Sequence, residues 1–455
     1  MQKMSFNQFC GEADFSQVTG IFNKAQHSSN VAPNLSNRGI SDFTPDFQKM
    51  NFAYARTHDW ALWNSGQRMV DTYFIFPLMH LDANDPRNYY FDSTDEIIRI
   101  TQEAGAKVFY RLGTSIEHSG LRPDQKHFNS LPPEDYEKYA EVLAGIIRHY
   151  TRGWANGFHY DMEYWEIWNE AENDPTCWKG TYDEFIKFFV IVLKRLKSEF
   201  PELKIGGPAC AGFFDNHVRE ILQACKAENI APDFISWHSY NSYPDVLINA
   251  PARMKAVIKE EGFDCETAVT EWHYLVSWDG IQKNMTADTR KNAVEGPSGI
   301  CGIDSAVYNL AVLCGWQETE LDMGFYYGAA PKGDWGFLNY YGGYNKNFYS
   351  MCIFGKLLGC FEKKIKTQKI ADNIYLQGGV SDDGKTGMLV VADYRGSTTS
   401  LELKVEGMDG ANIKVEYLDQ ENMLTLIDAT FRNNVLTLPK KNIGSAAFVI
   451  YFDKN

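Results

Sequence analysis

The sequence predicts an α/β fold: a (β/α)8 barrel of the TIM type followed by a C-terminal antiparallel β-sandwich. Three observations predict it. Short runs rich in β-branched and aromatic residues alternate with amphipathic helical stretches across residues 15–360. Two of these runs close on a carboxylate, Tyr164-Trp165-Glu166-Ile167-Trp168-Asn169-Glu170 and Val269-Thr270-Glu271, which is where a parallel barrel places its chemistry. Beyond Cys360 the pattern changes to closely spaced short strands separated by Asp, Gly and Asn, as in a sandwich.

Taken in order, strand ends are expected at Gly20-Ile21-Phe22, Ala53-Tyr54-Ala55-Arg56, Val108-Phe109-Tyr110-Arg111, Trp165-Glu166-Ile167-Trp168, Lys204-Ile205-Gly206-Gly207, Phe234-Ile235-Ser236-Trp237, Ala268-Val269-Thr270 and Gly324-Phe325-Tyr326-Tyr327. Apolar residues recur at three- and four-residue spacing over 93–104, 133–150 and 182–200, which reads as helix, and 345–358 supplies the last helix. The sandwich strands are expected at 373–378, 387–393, 400–405, 413–418, 434–438 and 446–452. The division is therefore an N-terminal segment at 1–14, available to the sandwich, a catalytic barrel at 15–360 and an accessory sandwich at 361–455. A barrel alone takes about 250 residues or more, so 455 residues accommodate both parts.

Composition narrows the function. A net charge of −15 with an isoelectric point near 5.2 leaves no clustered Lys and Arg for a phosphate backbone, so no nucleic-acid partner is expected. Nine Cys with no CxxC pair read as reduced core residues rather than a disulfide framework or a zinc site. The His and carboxylate residues show no HExxH or comparable spacing, so neither metal nor cofactor is expected. No run approaches a membrane span, and Met1-Gln2-Lys3-Met4-Ser5-Phe6 lacks a signal-peptide core. As written, the expected compartment is the cytoplasm, or the exterior if a leader has been removed. Oligomeric state is left open. The stretch Gly379-Val380-Ser381-Asp382-Asp383-Gly384-Lys385-Thr386 matches the P-loop pattern letter for letter, but it lies between two strands and carries two Asp, so it reads as a hairpin turn.

The chemistry-bearing residues sit at the strand ends. Two carboxylates flanking a sugar can break a glycosidic bond, one as acid and the other as nucleophile. Glu170 is expected to hold a proton for the leaving oxygen, and Asn169 beside it suits a sugar 2-hydroxyl. Glu271 must be ionised to attack, and Arg56 and Tyr240 are placed to favour that charge. Glu166 shares strand parity with Glu170 and is expected deeper, paired with Arg56. His58, Asp59, His238 and Tyr240 follow the second and sixth strands, where substrate hydroxyls would lie. Trp272 is expected to narrow the pocket, and Tyr327 and Trp335 belong to a long aromatic loop after the eighth strand.

These pieces resemble glycoside hydrolase family 39, retaining β-xylosidases and α-L-iduronidases of the barrel-fold clan. The likeness runs from about residue 40 to 360 and rests on Tyr54-Ala55-Arg56-Thr57-His58-Asp59, Trp165-Glu166-Ile167-Trp168-Asn169-Glu170, Ile205-Gly206-Gly207-Pro208-Ala209, Asp233-Phe234-Ile235-Ser236-Trp237-His238-Ser239-Tyr240 and Thr270-Glu271-Trp272. The resemblance implies Glu170 as acid/base, Glu271 as nucleophile, Asn169 as the 2-hydroxyl contact, and His58, His238 and Tyr240 as subsite and nucleophile-orienting residues. It also implies the barrel with a sandwich. Two departures stand out: Ala171-Glu172-Asn173 where family members often continue with Pro-Asn, and Arg111-Leu112-Gly113-Thr114 after the third strand, a cation that a neutral sugar does not require.

The expected activity is hydrolysis of a terminal β-linked sugar from an oligosaccharide or glycoside, with β-xyloside first. Other glycones (β-glucose, β-galactose, α-L-arabinose, a uronic acid) and endo action stay open, as does a non-catalytic carbohydrate-binding barrel.

Overall fold

Side chains alternate across a strand, so every second residue of a barrel strand points inward. In the computed structural model, which describes residues 9–31, 42–58, 70–114, 128–278, 287–328, 335–339 and 342–454, eight parallel strands close into a barrel in chain order. They are β2 (Ser28–Asn30), β3 (Tyr54–Arg56), β4 (Lys107–Leu112), β5 (Tyr164–Ile167), β6 (Lys204–Cys210), β7 (Phe234–Asn241), β8 (Glu266–Tyr274) and β9 (Met323–Tyr326). Phe109, Tyr164, Phe234, Ala268, Met323 and Phe325 pack together inside, with Tyr54 against them. Two residues further along three of the same strands come Arg56, Arg111 and Glu166, all fully buried. The barrel is thus apolar below and ionic above.

Helices α1 (Thr44–Met50), α2 (Thr72–Ile75), α3 (Asp92–Glu103), α4 (Tyr136–Arg152), α5 (Tyr182–Glu199), α6 (Asp215–Ala227), α7 (Pro244–Glu260), α8 (Ala287–Glu295), α9 (Ile303–Trp316) and α10 (Lys346–Cys360) lie between or after the strands. Helix α5 starts on a capping box in which Thr181 and Glu184 satisfy each other's backbone N–H. Its Phe185, Phe188, Phe189, Val192 and Leu196 then form the face that covers the barrel wall. Gly206 lets β6 approach β7, because a Cβ there would stand 2.3 Å from the Phe234 carbonyl oxygen.

The remaining strands, β1 (Gly11–Ile21), β10 (Lys363–Lys369), β11 (Ile374–Val380), β12 (Thr386–Gly396), β13 (Ser400–Glu406), β14 (Asn412–Leu418), β15 (Met423–Ile427), β16 (Thr430–Arg432), β17 (Val435–Pro439) and β18 (Gly444–Asp453), form one ten-stranded sheet in the order β15-β14-β18-β12-β11-β10-β1-β13-β17-β16. All its pairings are antiparallel except β1 with β13. The sheet closes over its own core. Leu401, Leu403 and Leu436 from one half join Leu389, Val391, Phe448 and Ile450 from the other in one cluster.

Two expectations are corrected here. Gly20-Ile21-Phe22 is not the first barrel strand, because the strand ending at Ile21 runs between β10 and β13 in the sheet. The first barrel strand is Ser28–Asn30, with no apolar residue to mark it. The strands β10, β15 and β16 were also not anticipated; β10 reads KKIKTQK and fully buries only Ile365. The P-loop look-alike is the turn joining β11 and β12, closed by a 2.9 Å bond from Ser381 N to Thr386 O.

Helix α9 lies between the barrel and the sheet and is buried on nearly every side. Its Ala306, Val307, Leu310 and Leu313 share a cluster with Met388, Val390, Ala392 and Val449 of the sheet. A helix that is apolar all round must be covered all round.

Candidate active site

Strand β5 ends in a backbone that bends twice. Trp168 and Glu170 have φ of 67° and 48°, the left-handed region that non-glycine residues enter at a cost. The bend is held by Glu170 N donating to Ala209 O at 2.9 Å and by Asn173 N donating back to Glu170 O at 2.9 Å. Ala209 itself has φ 56° within an irregular step of β6, and its N–H is taken by Ser236 Oγ at 2.9 Å. Opposite, β8 carries a bulge: Trp237 pairs with Val269 and His238 pairs with Glu271, so Thr270 is the extra residue. A bulge re-aims the side chains beyond it. Here it delivers Glu271 to the interior.

Arg56 is the hub. Its Nε donates to Glu166 Oε2 at 2.6 Å, Nη1 to Glu271 Oε1 at 3.0 Å and Asn30 Oδ1 at 3.3 Å, and Nη2 to Asn169 Oδ1 at 2.7 Å. The guanidinium fork thus fixes the Asn169 amide with its oxygen inward and its NH2 group available. His58 Nε2 lies 3.0 Å from Glu271 Oε1, and Tyr240 OH donates to Glu271 Oε2 at 2.5 Å. Burial opposes the Glu271 charge, but His238, His58 and Arg56 outweigh it and hold the carboxyl well below the usual carboxylate range. Glu271 is ionised in the resting protein.

Glu170 has a different set of partners. His238 Nδ1 lies 2.6 Å from its Oε1, and Asn173 Nδ2 donates to its Oε2 at 2.9 Å. The same His238 nitrogen lies 3.5 Å from Glu271 Oε2, so one imidazole sits between the two carboxyl groups. Burial works against a charged His238, yet Glu271 and Glu170 raise its pKa above the ordinary imidazole value. One ring nitrogen of His238 and one oxygen from each glutamate all lie within 4.8 Å of one another. Three such ligands suit a divalent cation in kind, but the Arg56 guanidinium beside Glu271 repels one.

Rings wall the Glu271 side. Tyr327 meets His58 edge-on at 5.7 Å, Tyr240 at 5.7 Å and Trp335 at 5.5 Å between centroids. Trp278 lies 5.2 Å from Tyr240 and 6.0 Å from Trp335 and is 51% exposed. His273, whose pKa burial pushes down to about 4, accepts the Tyr326 hydroxyl at 2.7 Å and backs Trp335 at 5.0 Å.

The structure therefore brings Arg56, His58, Asn169, Glu170, His238, Tyr240, Glu271, Tyr327 and Trp335 together. Glu166 lies below them on Arg56. Trp272 is a correction: once the bulge turns Glu271 inward, its neighbour faces out, where it is 1% exposed and packs edge-on against Trp316 and Tyr326. It narrows no pocket. Asp59 lies outside the described residues. Arg111 is buried and donates from Nη2 to Thr114 O at 3.2 Å. Reading the sequence missed Asn30, Asn173 and Trp278. Asn173, three residues past Glu170, carried a usable signal in its spacing, whereas Asn30 ends a strand with no hydrophobic mark. Glu172 accepts Ala211 N at 3.0 Å, and burial raises its pKa.

A sugar held between Glu170 and Glu271 would meet a carboxyl group on either side, that of Glu271 held in its ionised form. One oxygen of each carboxyl lies within 4.8 Å of the other, closer than the roughly 6.5–9.5 Å that leaves room for a water between two carboxyl groups. A pair of carboxyl groups so placed at the ends of barrel strands is the arrangement that retaining glycoside hydrolases use. The chain belongs to the glycosyl hydrolases family 39, whose model matches residues 30–258. A β-xylosidase of Geobacillus stearothermophilus is 26% identical over 202 residues, 43% of this chain and 38% of that protein. One of Caldicellulosiruptor saccharolyticus is 26% identical over 208 residues, 41% of each. The chain thus spans less than half the length of these curated relatives. A solved glucosidase from Croceicoccus marinus shares the fold at TM-score 0.77 and 19% identity, covering 98% of this chain and 99% of that one.

Proposed function

We propose that this protein is a retaining glycosidase that removes a terminal β-linked sugar, with β-xyloside as its first substrate class. The observation that carries the reading is the pair Glu170 and Glu271, close together and sharing His238 but otherwise held by different partners. Glu271 attacks the anomeric carbon as the bond to the leaving oxygen breaks and Glu170 gives that oxygen its proton. Glu170, now ionised, takes a proton from water, which attacks the same carbon and frees Glu271. Arg56, His58 and Tyr240 keep Glu271 charged and aimed before attack. Asn169, its NH2 group left available by Arg56, offers a donor to the sugar 2-hydroxyl. The aromatic wall supplies faces for the ring.

The β-xyloside preference draws on the names of the two curated relatives. Release of nitrophenol from β-xyloside, β-glucoside, β-galactoside, α-arabinoside and uronide substrates tests it, with Glu271→Gln run alongside. Turnover on one glycone that the variant loses supports both mechanism and sugar. A wild-type protein that binds oligosaccharides but releases nothing would make this a carbohydrate-binding barrel instead.

A further inference from the structure

The ladder between β12 and β18 slips between Asp393 and Gly396, and within that irregularity Arg395 takes φ 55°. A long, β-carbon-bearing residue in the left-handed region persists only where its surroundings hold it. What holds Arg395 is the barrel, together with Ser445 of its own sheet. Its Nη2 donates to Tyr274 OH at 2.9 Å and its Nε to Asp304 Oδ2 at 3.1 Å. Its neighbour Tyr394, under the guanidinium at 4.9 Å, donates from its hydroxyl to Ser242 O at 2.6 Å. Asp304, in the first turn of α9, also accepts Ser298 Oγ at 2.7 Å and Ser445 Oγ at 2.5 Å, and Ser445 Oγ accepts Arg395 N at 2.9 Å.

Tyr274 is the last residue of β8, and Ser242 directly follows β7. The sheet thus grips the C-terminal ends of two adjacent strands whose last paired residues are Asn241 and Tyr274. Those strands carry His238 and Tyr240 on one side and Glu271 on the other, and the Tyr240–Glu271 hydrogen bond spans the same two strands. A shift of one strand end against the other changes the geometry of that bond. Of the other sheet contacts, Lys369 Nζ donates to Asp245 Oδ1 at 3.1 Å in the first turn of α7, whereas Gln377 donates to Glu318 Oε1 at 2.8 Å, beyond the far end of α9.

We infer that Arg395, with Tyr394, is a positioning residue through which the ten-stranded sheet sets Tyr240 and His238 against the nucleophile Glu271. This rests on the catalytic reading of Glu271. The sheet then shapes the reaction without touching substrate.

The test compares Arg395→Met and Tyr394→Phe with Gln377→Ala, a sheet–barrel contact remote from the β7 and β8 ends, all in the full chain. Turnover on the best nitrophenyl glycoside should fall about tenfold or more in Arg395→Met, because small misplacement of a reacting group is expensive in rate. Its KM should stay within about threefold, since a group acting on the nucleophile moves kcat rather than uniform binding. Tyr394→Phe should fall less, and Gln377→Ala should hold the wild-type kcat. Amide hydrogen exchange supplies a readout independent of turnover: residues 238–241 and 271–274 should exchange roughly tenfold faster in Arg395→Met and not in Gln377→Ala. Wild-type kcat in a folded Arg395→Met, or kcat losses that follow the melting temperature equally in all three variants, would overturn the inference. If the wild-type protein cleaves no glycoside, the catalytic reading falls and exchange alone decides. Acceleration confined to the two strand ends upholds the positioning contact; uniform or absent acceleration removes it.

Discussion

The upper barrel and the sheet core are both buried, but they are built from different materials. Around Glu271 the buried side chains are Arg56, His58, Glu166, Asn169, Glu170 and His238, and the backbone beside them bends into the left-handed region at Trp168, Glu170 and Ala209. The sheet core is made of the apolar side chains Phe15, Leu389, Val391, Leu403, Phe448 and Ile450, with the Lys440–Asp393 pair buried at its border. Burying a charge is expensive unless it is paired and hydrogen-bonded, whereas burying apolar surface stabilises by roughly 25 cal/mol per Å2. One region is arranged for reactivity, and the other supplies the stability on which it depends.

The strongest way to break this comparison is Glu271→Gln. It should cut kcat by roughly 10^4-fold or more, the scale at which a nucleophile is lost, measured on an activated nitrophenyl glycoside. A loss below tenfold would remove Glu271 from the reaction. Arg56→Met comes next: it leaves Glu166 and Glu271 buried without their cation, which should cost about 3–5 kcal/mol of stability in urea and abolish turnover. Leu389→Ala in the sheet should cost a similar ~2–5 kcal/mol through its cavity, yet keep kcat in the folded protein. Equal stability losses with opposite effects on turnover would sharpen the contrast; parallel losses would erase it.

The pH dependence of stability separates the regions further. Glu271 is held below its ordinary value, so its contribution is present above the unfolded value, roughly 4.3, and is lost as pH falls through the folded one. His238 has the reverse sign: with its pKa raised, its contribution is full below roughly 6.5 and is lost as pH rises through the folded value. The stability difference between wild type and Glu271→Gln should therefore be largest near neutrality and shrink below about pH 4. A difference that grows on acidification would contradict the ionised resting state. The smallest expected effect is that of Trp278→Ala, which should raise KM by a factor of about three to ten with kcat held, as loss of one stacking face would.

Much of this was legible in the residues. Seven of the eight barrel strands lie where alternation of strand and helix signals puts them, because their lower halves are apolar and their ends carry the carboxylates. The first strand escaped notice for the reason that makes it useful: Asn30 is polar because it serves Arg56 and Thr270. Gly20-Ile21 misled through its apolar end, although Ile21 is 75% exposed. The misplacement of Trp272 has one cause, the extra residue Thr270, since strand parity beyond a bulge inverts and no residue type announces it. Glu166 on Arg56 was readable because β5 has no such interruption before it.

Helix α9 has one more consequence. With no solvent face of its own, it packs against both the barrel and the sheet, and the apolar cluster it joins runs from Trp237 and Val269 to Val390 and Val449. Such a molecule has no seam. On heating it should unfold in a single transition whose calorimetric and van't Hoff enthalpies agree, and a chain stopped at Cys360 should aggregate rather than survive as a smaller enzyme.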